Sequence, residues 1–156
     1  MPTITEGKLQ FDFPENWFAS KFDETSFYVN QFQSVCGGAK AVDVIAVEPN
    51  ACLWTIEAKD YRQHRRTKII DLADEIAAKA RDSLAAIMAA QANANNADEK
   101  QFARLAVRCP RVRVVLHLEQ PTKHSKLFPQ AIEPSKIKQR LKQLIKAIDP
   151  HPLVLE

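Results

Sequence analysis

"AVDVIAVEPNACLWTIEAKDY", residues 41–61, decides how this chain folds. Two runs rich in β-branched and aromatic residues, Ala41–Val47 and Cys52–Tyr61, flank a Glu-Pro-Asn-Ala segment with turn chemistry, and together they read as a β-hairpin. Alternation along the second run puts Trp54, Ile56 and Ala58 on one face and Thr55, Glu57 and Lys59 on the other. The first face is expected to be core, and the second can carry a site. With the turn centred near residue 50, Val47 lies opposite Leu53, Ile45 opposite Thr55, and Asp43 opposite Glu57 on a shared face. A slip of one residue would send Asp43 to the other side.

Asp43 stands among apolar neighbours on both faces, where an ionised carboxylate is costly unless it is paired or bound to metal. Two carboxylates on adjacent strands suit Mg²⁺, which takes one or two of them, keeps several waters and uses phosphate oxygens for the rest. Lys59 beside them can orient or deprotonate a water, or offset charge in a transition state. The competing reading is a buried ion pair of Asp43 or Glu57 with Lys59 and no catalysis.

Downstream, "DYRQHRRTK" (60–68) supplies Arg62, Arg65, Arg66 and Lys68 as candidate phosphate contacts, with Tyr61 able to stack and His64 able to change charge near neutrality. A solvated loop accounts for the same residues. "IIDLADEIAAKARDSLAAIMAAQ" then places Leu72, Ile76, Ala80, Leu84, Ile87 and Met88 on one stripe of a long helix. Lys79 lies at the edge of that stripe, so it either points toward the sheet and the carboxylates, as a further nucleic-acid contact, or snorkels to solvent. An exposed loop over "ANANNADEK" leads to a short helix around Phe102–Val107. "RVRVVLHLE" (111–119) alternates as a strand, and Pro121 and Pro129 bracket a connector. Pro134 opens a helix with Ile137, Leu141, Leu144, Ile145 and Ile148 on one face, and "LVLE" follows as an edge strand.

Upstream, Tyr28, Phe32, Val35 and Cys36 predict a short helix ending at Gly37 and Gly38. Before it, "LQFDF" alternates like a strand, and Pro14 opens a short helix holding Trp17, Phe18 and Phe22.

"VD", thirteen residues and "EAK", on a hairpin ahead of a long helix and a further strand, resemble the PD-(D/E)xK nuclease superfamily, and the resemblance covers about residues 26–119. It implies an α/β, restriction endonuclease-like fold: a central mixed sheet flanked by helices on both faces. It also implies Asp43 and Glu57 as metal ligands joined by the carbonyl of Ala58, Lys59 as the catalytic lysine, and Mg²⁺ (Mn²⁺ as substitute) as cofactor. Val42 replaces the proline that names the motif. Many members add a glutamate from the first helix, for which Glu24 and Glu15 are the candidates. The function so implied is a metal-dependent DNA endonuclease, either structure-specific or part of a defence or repair assembly. Its alternative is a catalytically inactive subunit that binds nucleic acid or a protein partner, as a homodimer or within a larger complex.

Length and composition bound these readings. The 156 residues fit one domain with a real core. No apolar run approaches a membrane span, and the start lacks the pattern of a secretory signal, so a cytoplasmic protein is expected. Cys36, Cys52 and Cys109 form no paired or metal-binding spacing, and three glycines leave no phosphate loop of the Walker type. Residues 1–60 hold four basic and nine acidic side chains, whereas residues 104–156 hold eleven and four. That polarity fits a polyanionic partner.

Overall fold

A computed structural model describes residues 1–121 and 132–156; the predicted connector between Pro121 and Pro129 falls largely outside the described residues. The chain opens with a two-stranded hairpin, β1 (Thr3–Glu6) and β2 (Leu9–Asp12), turned at Gly7 with φ 58°. A five-stranded mixed sheet follows in chain order: β3 (Phe18–Lys21), β4 (Val44–Glu48), β5 (Cys52–Asp60), β6 (Arg111–Glu119) and β7 (Leu153–Leu155). The first three strands form an antiparallel meander, and β5, β6 and β7 run parallel. Helices α1 (Leu72–Asn93) and α2 (Ala97–Val107) make the crossover from β5 to β6, and α3 (Pro134–Ile145) that from β6 to β7.

The decisive hairpin forms in the predicted register, with Ile45 opposite Thr55 and Val47 opposite Leu53. Pro49 and Asn50 set it: Asn50 takes φ 57°, and Ala51 N–H donates to Glu48 O at 3.0 Å, the pattern of a proline-led turn with a left-handed third residue. Asp71 caps α1 by accepting from Ala73 N–H at 2.9 Å, and Asp74 and Glu75 complement the positive helix end.

One face of the sheet (Ile45, Val47, Leu53, Val114, Leu116, Leu118) packs against α1, α2 and α3 in two apolar clusters. The opposite face (Val44, Ala46, Ile56, Val115) packs under Phe13, Phe11 and Trp17 from the N-terminal segment. Helices on both faces are therefore not what the described residues form: all three α-helices cover one face, and the β1–β2 hairpin shields the other. Phe13, Trp17 and Trp54 stack in sequence there, with the Arg113 guanidinium 5.5 Å over Trp54, beside an apolar cavity of about 330 Å³.

Other local expectations change for physical reasons. The predicted short helix after Pro14 is β3 instead, because Phe18–Lys21 completes the hydrogen-bonding edge of β4. The helix predicted after Ser26 is a π-helical turn, Tyr28–Phe32, closed by Gln33 N–H to Tyr28 O at 2.8 Å. It buries Phe27 and Phe32 together, while Val35 and Cys36 stay exposed. The second helix begins at Ala97, inside the predicted loop, because the Asn96 side chain accepts from the amides of Asp98 and Glu99. Met88, placed on the buried stripe of α1 by periodicity, is 59% exposed. No helix among the described residues is long and apolar enough to cross a membrane.

Candidate active site

The hairpin register carries Asp43, one residue ahead of β4, to the position facing Glu57 on β5. Because helices cover this face, Glu57 is 1% exposed and Asp43 8%. Asp43 Oδ2 accepts from Ala58 N–H at 2.8 Å, and Asp43 N–H donates to Glu57 Oε2 at 3.2 Å. Two ammonium groups meet the other oxygen of Glu57: Lys59 Nζ lies 2.9 Å from Oε1 and Lys79 Nζ 2.5 Å. Lys59 also reaches Glu75 Oε1 at 3.4 Å.

Glu75, itself 1% exposed, holds the other end of the network. Lys68 lies 2.7 Å from its Oε1, and Arg66 pairs with its Oε2 at 2.6 Å. Arg66 also donates to the Tyr61 hydroxyl (3.0 Å) and to Ile70 O (2.8 Å). The basic stretch is thus strapped onto the first turn of α1.

The electrostatics follow from this packing. Burial, reinforced by the Glu57 charge, pushes the Asp43 carboxyl up to about 7. Burial alone would lower Lys59, but Glu57 and then Glu75 more than offset it and hold Lys59 above its ordinary value. For Glu75 burial acts upward, yet the hydrogen bonds of Lys68 and Arg66 and the Lys59 charge bring it down to about 2.

Glu75, Lys79 and Ser83 stand four residues apart and form one row on α1. Ser83 Oγ accepts from Val42 N–H at 3.0 Å, so the row contacts the residue before Asp43, then Glu57, then Lys59. Lys79 therefore points toward the sheet and is 17% exposed at its side chain; it is a partner of Glu57 rather than a solvent-facing phosphate contact. Glu75 and Ser83 escaped the sequence reading, although a signal existed: polar residues at helical spacing inside an apolar stripe.

The remaining candidates scatter. Glu24 pairs with Lys21 at 2.9 Å with 65% of its side chain exposed, and Glu15 is exposed between β2 and β3. Neither reaches the carboxylates. The acidic groups nearer to them are Glu6, whose charge bears on Asp43, and Asp23, which is raised by burial and then by Glu6. Asp23 Oδ1 is buried without a hydrogen-bond partner. Arg62 is engaged by Asp60 at 2.6 Å and, with Lys8 and His64, lines an open cavity of about 690 Å³ bounded by Ala58. Arg65 is exposed. Arg66, 12% exposed at its side chain, is committed to Glu75, which removes it from the set of available phosphate contacts. Among the described residues no group of three or more His, Cys, Asp or Glu side chains is arranged to hold a metal ion.

Glu75→Gln tests the strap. It leaves Arg66, Lys68 and Lys59 short of a buried countercharge and is expected to cost about 3 kcal/mol in urea unfolding at pH 7. Since Glu75 is held at about 2, its contribution is present above the ordinary carboxylate range and fades as pH falls toward 2, so the difference between parent and variant should shrink there. An equal difference at both pH values would show that charge is not the cause.

No family model matches the chain, and no solved structure matches it. The chain is similar to a cysteine–tRNA ligase of Neisseria meningitidis serogroup A / serotype 4A, with 36% identity over 161 residues. The match covers 84% of this chain but 23% of that protein, so the chain spans less than a quarter of the relative's length.

Proposed function

We propose that the chain carries a Mg²⁺-dependent phosphodiesterase centre on a restriction endonuclease-like fold, acting on DNA. The observation that carries the reading is the buried Asp43–Glu57 pair with Lys59 2.9 Å from Glu57. The five-stranded mixed sheet with its helical crossover supports the reading, although the helices cover one face of it and not both.

The donor set fits a hard divalent cation. Two carboxylates meet the need of Mg²⁺, which keeps several waters of its own. Asp43 Oδ2 accepts from Ala58 N–H, and Oδ1 has no hydrogen-bond donor among the described residues. Burial first, and then the Glu57 charge, raise the affinity of Asp43 for a proton, so the ionised carboxylate there gains from a countercharge. Asp43, Glu57 and the carbonyl of Ala58 would hold the ion, which supplies Lewis acidity and a lowered pKa for a bound water.

The chain's own groups do the rest. Lys59, held above its ordinary value by Glu57 and Glu75 in the metal-free protein, orients the attacking water or offsets charge on the phosphoryl oxygens. Lys79 fixes the Glu57 carboxylate from the helix side, and Glu75 keeps Lys59 in place. Arg62 and Arg65, exposed ahead of the strap, hold the substrate backbone, with Lys68 at its edge.

The second reading, a nuclease-fold module that binds nucleic acid without cutting it, is favoured by one contact: both lysines already neutralise Glu57 Oε1. The relative's name brings tRNA into this reading as the nucleic acid bound. Titration calorimetry with Mn²⁺ on the parent and on Asp43→Ala separates the two. Weak binding by the parent and none by the variant is expected; equal heats from both would remove the metal from this site and leave the binding module.

A further inference from the structure

The C-terminal basic excess is resolved by the structure into two kinds of residue. Between Pro134 and Ile148 there are five basic side chains and no acidic ones. Lys136 pairs with Glu133 at 3.3 Å, and Arg140 reaches across to Asp74 on α1 at 3.3 Å. Lys138, Lys142 and Lys146 are exposed and make no ion pair or side-chain hydrogen bond among the described residues. They stand four residues apart, and Lys146 at the C-cap keeps helical dihedrals. They therefore form one row along a flank of α3, about 100° around the helix from Leu141 and Ile145, which face the core.

The direction of the row matters. At the start of α3 the Gln120 side chain donates to Ile132 O at 2.9 Å, which ties that end to the end of β6. Glu119 there stands beside Asp60 in the parallel register of β5 and β6, next to Lys59. At the far end, Asp149, 2% exposed, accepts from Val114 N–H at 2.8 Å, three residues into β6. So α3 runs back along β6, away from the carboxylates, on the same face of the sheet. The lysine row begins at the end of α3 nearest the strap of Arg66 and Lys68 on the first turn of α1, which Arg140 reaches through Asp74, and spans about 12 Å at 1.5 Å rise per residue. At 3.4 Å per nucleotide on one strand, that length follows about three phosphates.

We propose that Lys138, Lys142 and Lys146 form an exosite that holds the phosphate backbone of a nucleic acid beyond the catalytic centre. A compact anionic partner would need one or two charges at a point. A regular row of ammonium groups that have no ion pair among the described residues, on an acid-free stretch of helix, instead matches the repeated charge of a polyphosphate strand. The exosite makes the substrate a strand long enough to reach both the carboxylate pair and α3, gripped without regard to base sequence. This inference rests on the reading of the protein as one that acts on nucleic acid, whether or not it cleaves.

The test compares the parent, Lys142→Gln and the triple variant Lys138→Gln/Lys142→Gln/Lys146→Gln. Glutamine keeps helix propensity close to that of lysine. Binding to a 30-base-pair DNA duplex and to an RNA hairpin is followed by fluorescence anisotropy across a salt series in EDTA, with melting temperatures alongside. On DNA the slope of log affinity against log salt should fall in magnitude by about 0.9 for the single variant and by about 2–3 for the triple. The triple variant should bind about a hundredfold more weakly at physiological salt. The polymer that shows the larger loss is the partner. An unchanged slope with a lowered melting temperature would assign the lysines to stabilising the helix end and overturn the exosite, as would a parent that binds neither polymer. If the parent binds with the expected slopes but cuts nothing with Mg²⁺ or Mn²⁺, the cleavage reading falls and the exosite stands.

Discussion

Lys59→Ala is expected to lower the rate of DNA cleavage about 10²–10⁴-fold while leaving the fold and DNA binding nearly intact. The size follows from removing a preorganised positive charge from a site where charge develops. Tolerance of the fold follows from redundancy: without Lys59, Glu57 keeps Lys79, and Glu75 keeps Lys68 and Arg66. Single-turnover cleavage, anisotropy binding and thermal unfolding on one preparation give the three readouts. Cleavage that survives the substitution would sink the assigned role, and a variant that unfolds would make Lys59 a structural ion-pair partner instead.

Asp43→Asn should act on stability and chemistry in opposite senses. The folded protein holds the Asp43 proton up to about 7, against an ordinary carboxylate that releases it near 4. The metal-free fold therefore loses stability as pH rises from about 4 to about 7, and the full penalty stands above that range. Asparagine keeps an acceptor for Ala58 N–H and carries no charge. The variant is expected to exceed the parent by about 2 kcal/mol at pH 8, or about 4–8 °C in melting temperature, and by nothing at pH 4. Taking the difference between the two proteins at each pH cancels the titration of other groups. Cleavage and Mn²⁺ binding should both be lost. In the parent, cleavage should rise with pH as Asp43 gives up its proton, and excess metal should move that rise to lower pH by competing for the carboxylate. A variant no more stable than the parent at pH 8 would mean that Asp43 is not held under electrostatic strain.

The hairpin and its carboxylate pair were legible because a proline-asparagine turn fixes register and strand alternation does the rest. Strand β6 and helix α3 were legible for the same kind of reason: each has a periodic apolar face and punctuated ends. The N-terminal segment was not. Phe18–Lys21 is a strand only because β4 offers it an unpaired edge, and that is a tertiary fact. Nor was the cover of the second face visible, since nothing local in "TITEGKLQFD" says that the hairpin lies over Val44, Ala46 and Ile56. In the site itself, spacing fixed Asp43, Glu57 and Lys59. It left Lys79 undecided, and it missed Glu75 because a charged residue in an amphipathic helix reads as surface until its three cations are seen around it.

The hairpin also shapes the order in which the molecule comes together. Asp43 and Glu57 are fourteen residues apart and meet through a tight turn, a local closure of the kind completed in microseconds. One neutralising partner, Lys59, comes with the hairpin itself, two residues past Glu57 on β5, whereas the other, Lys79, comes later with α1, and the strand beside β5 lies more than fifty residues further along the chain. At neutral pH the hairpin alone thus holds two carboxylates against one ammonium, and mild acid, or a divalent cation in solution, would ease the remaining negative charge before the helix supplies the second ammonium. The charge balance of the site is completed only when α1 delivers Lys79, which couples the hairpin to the helix that packs on it.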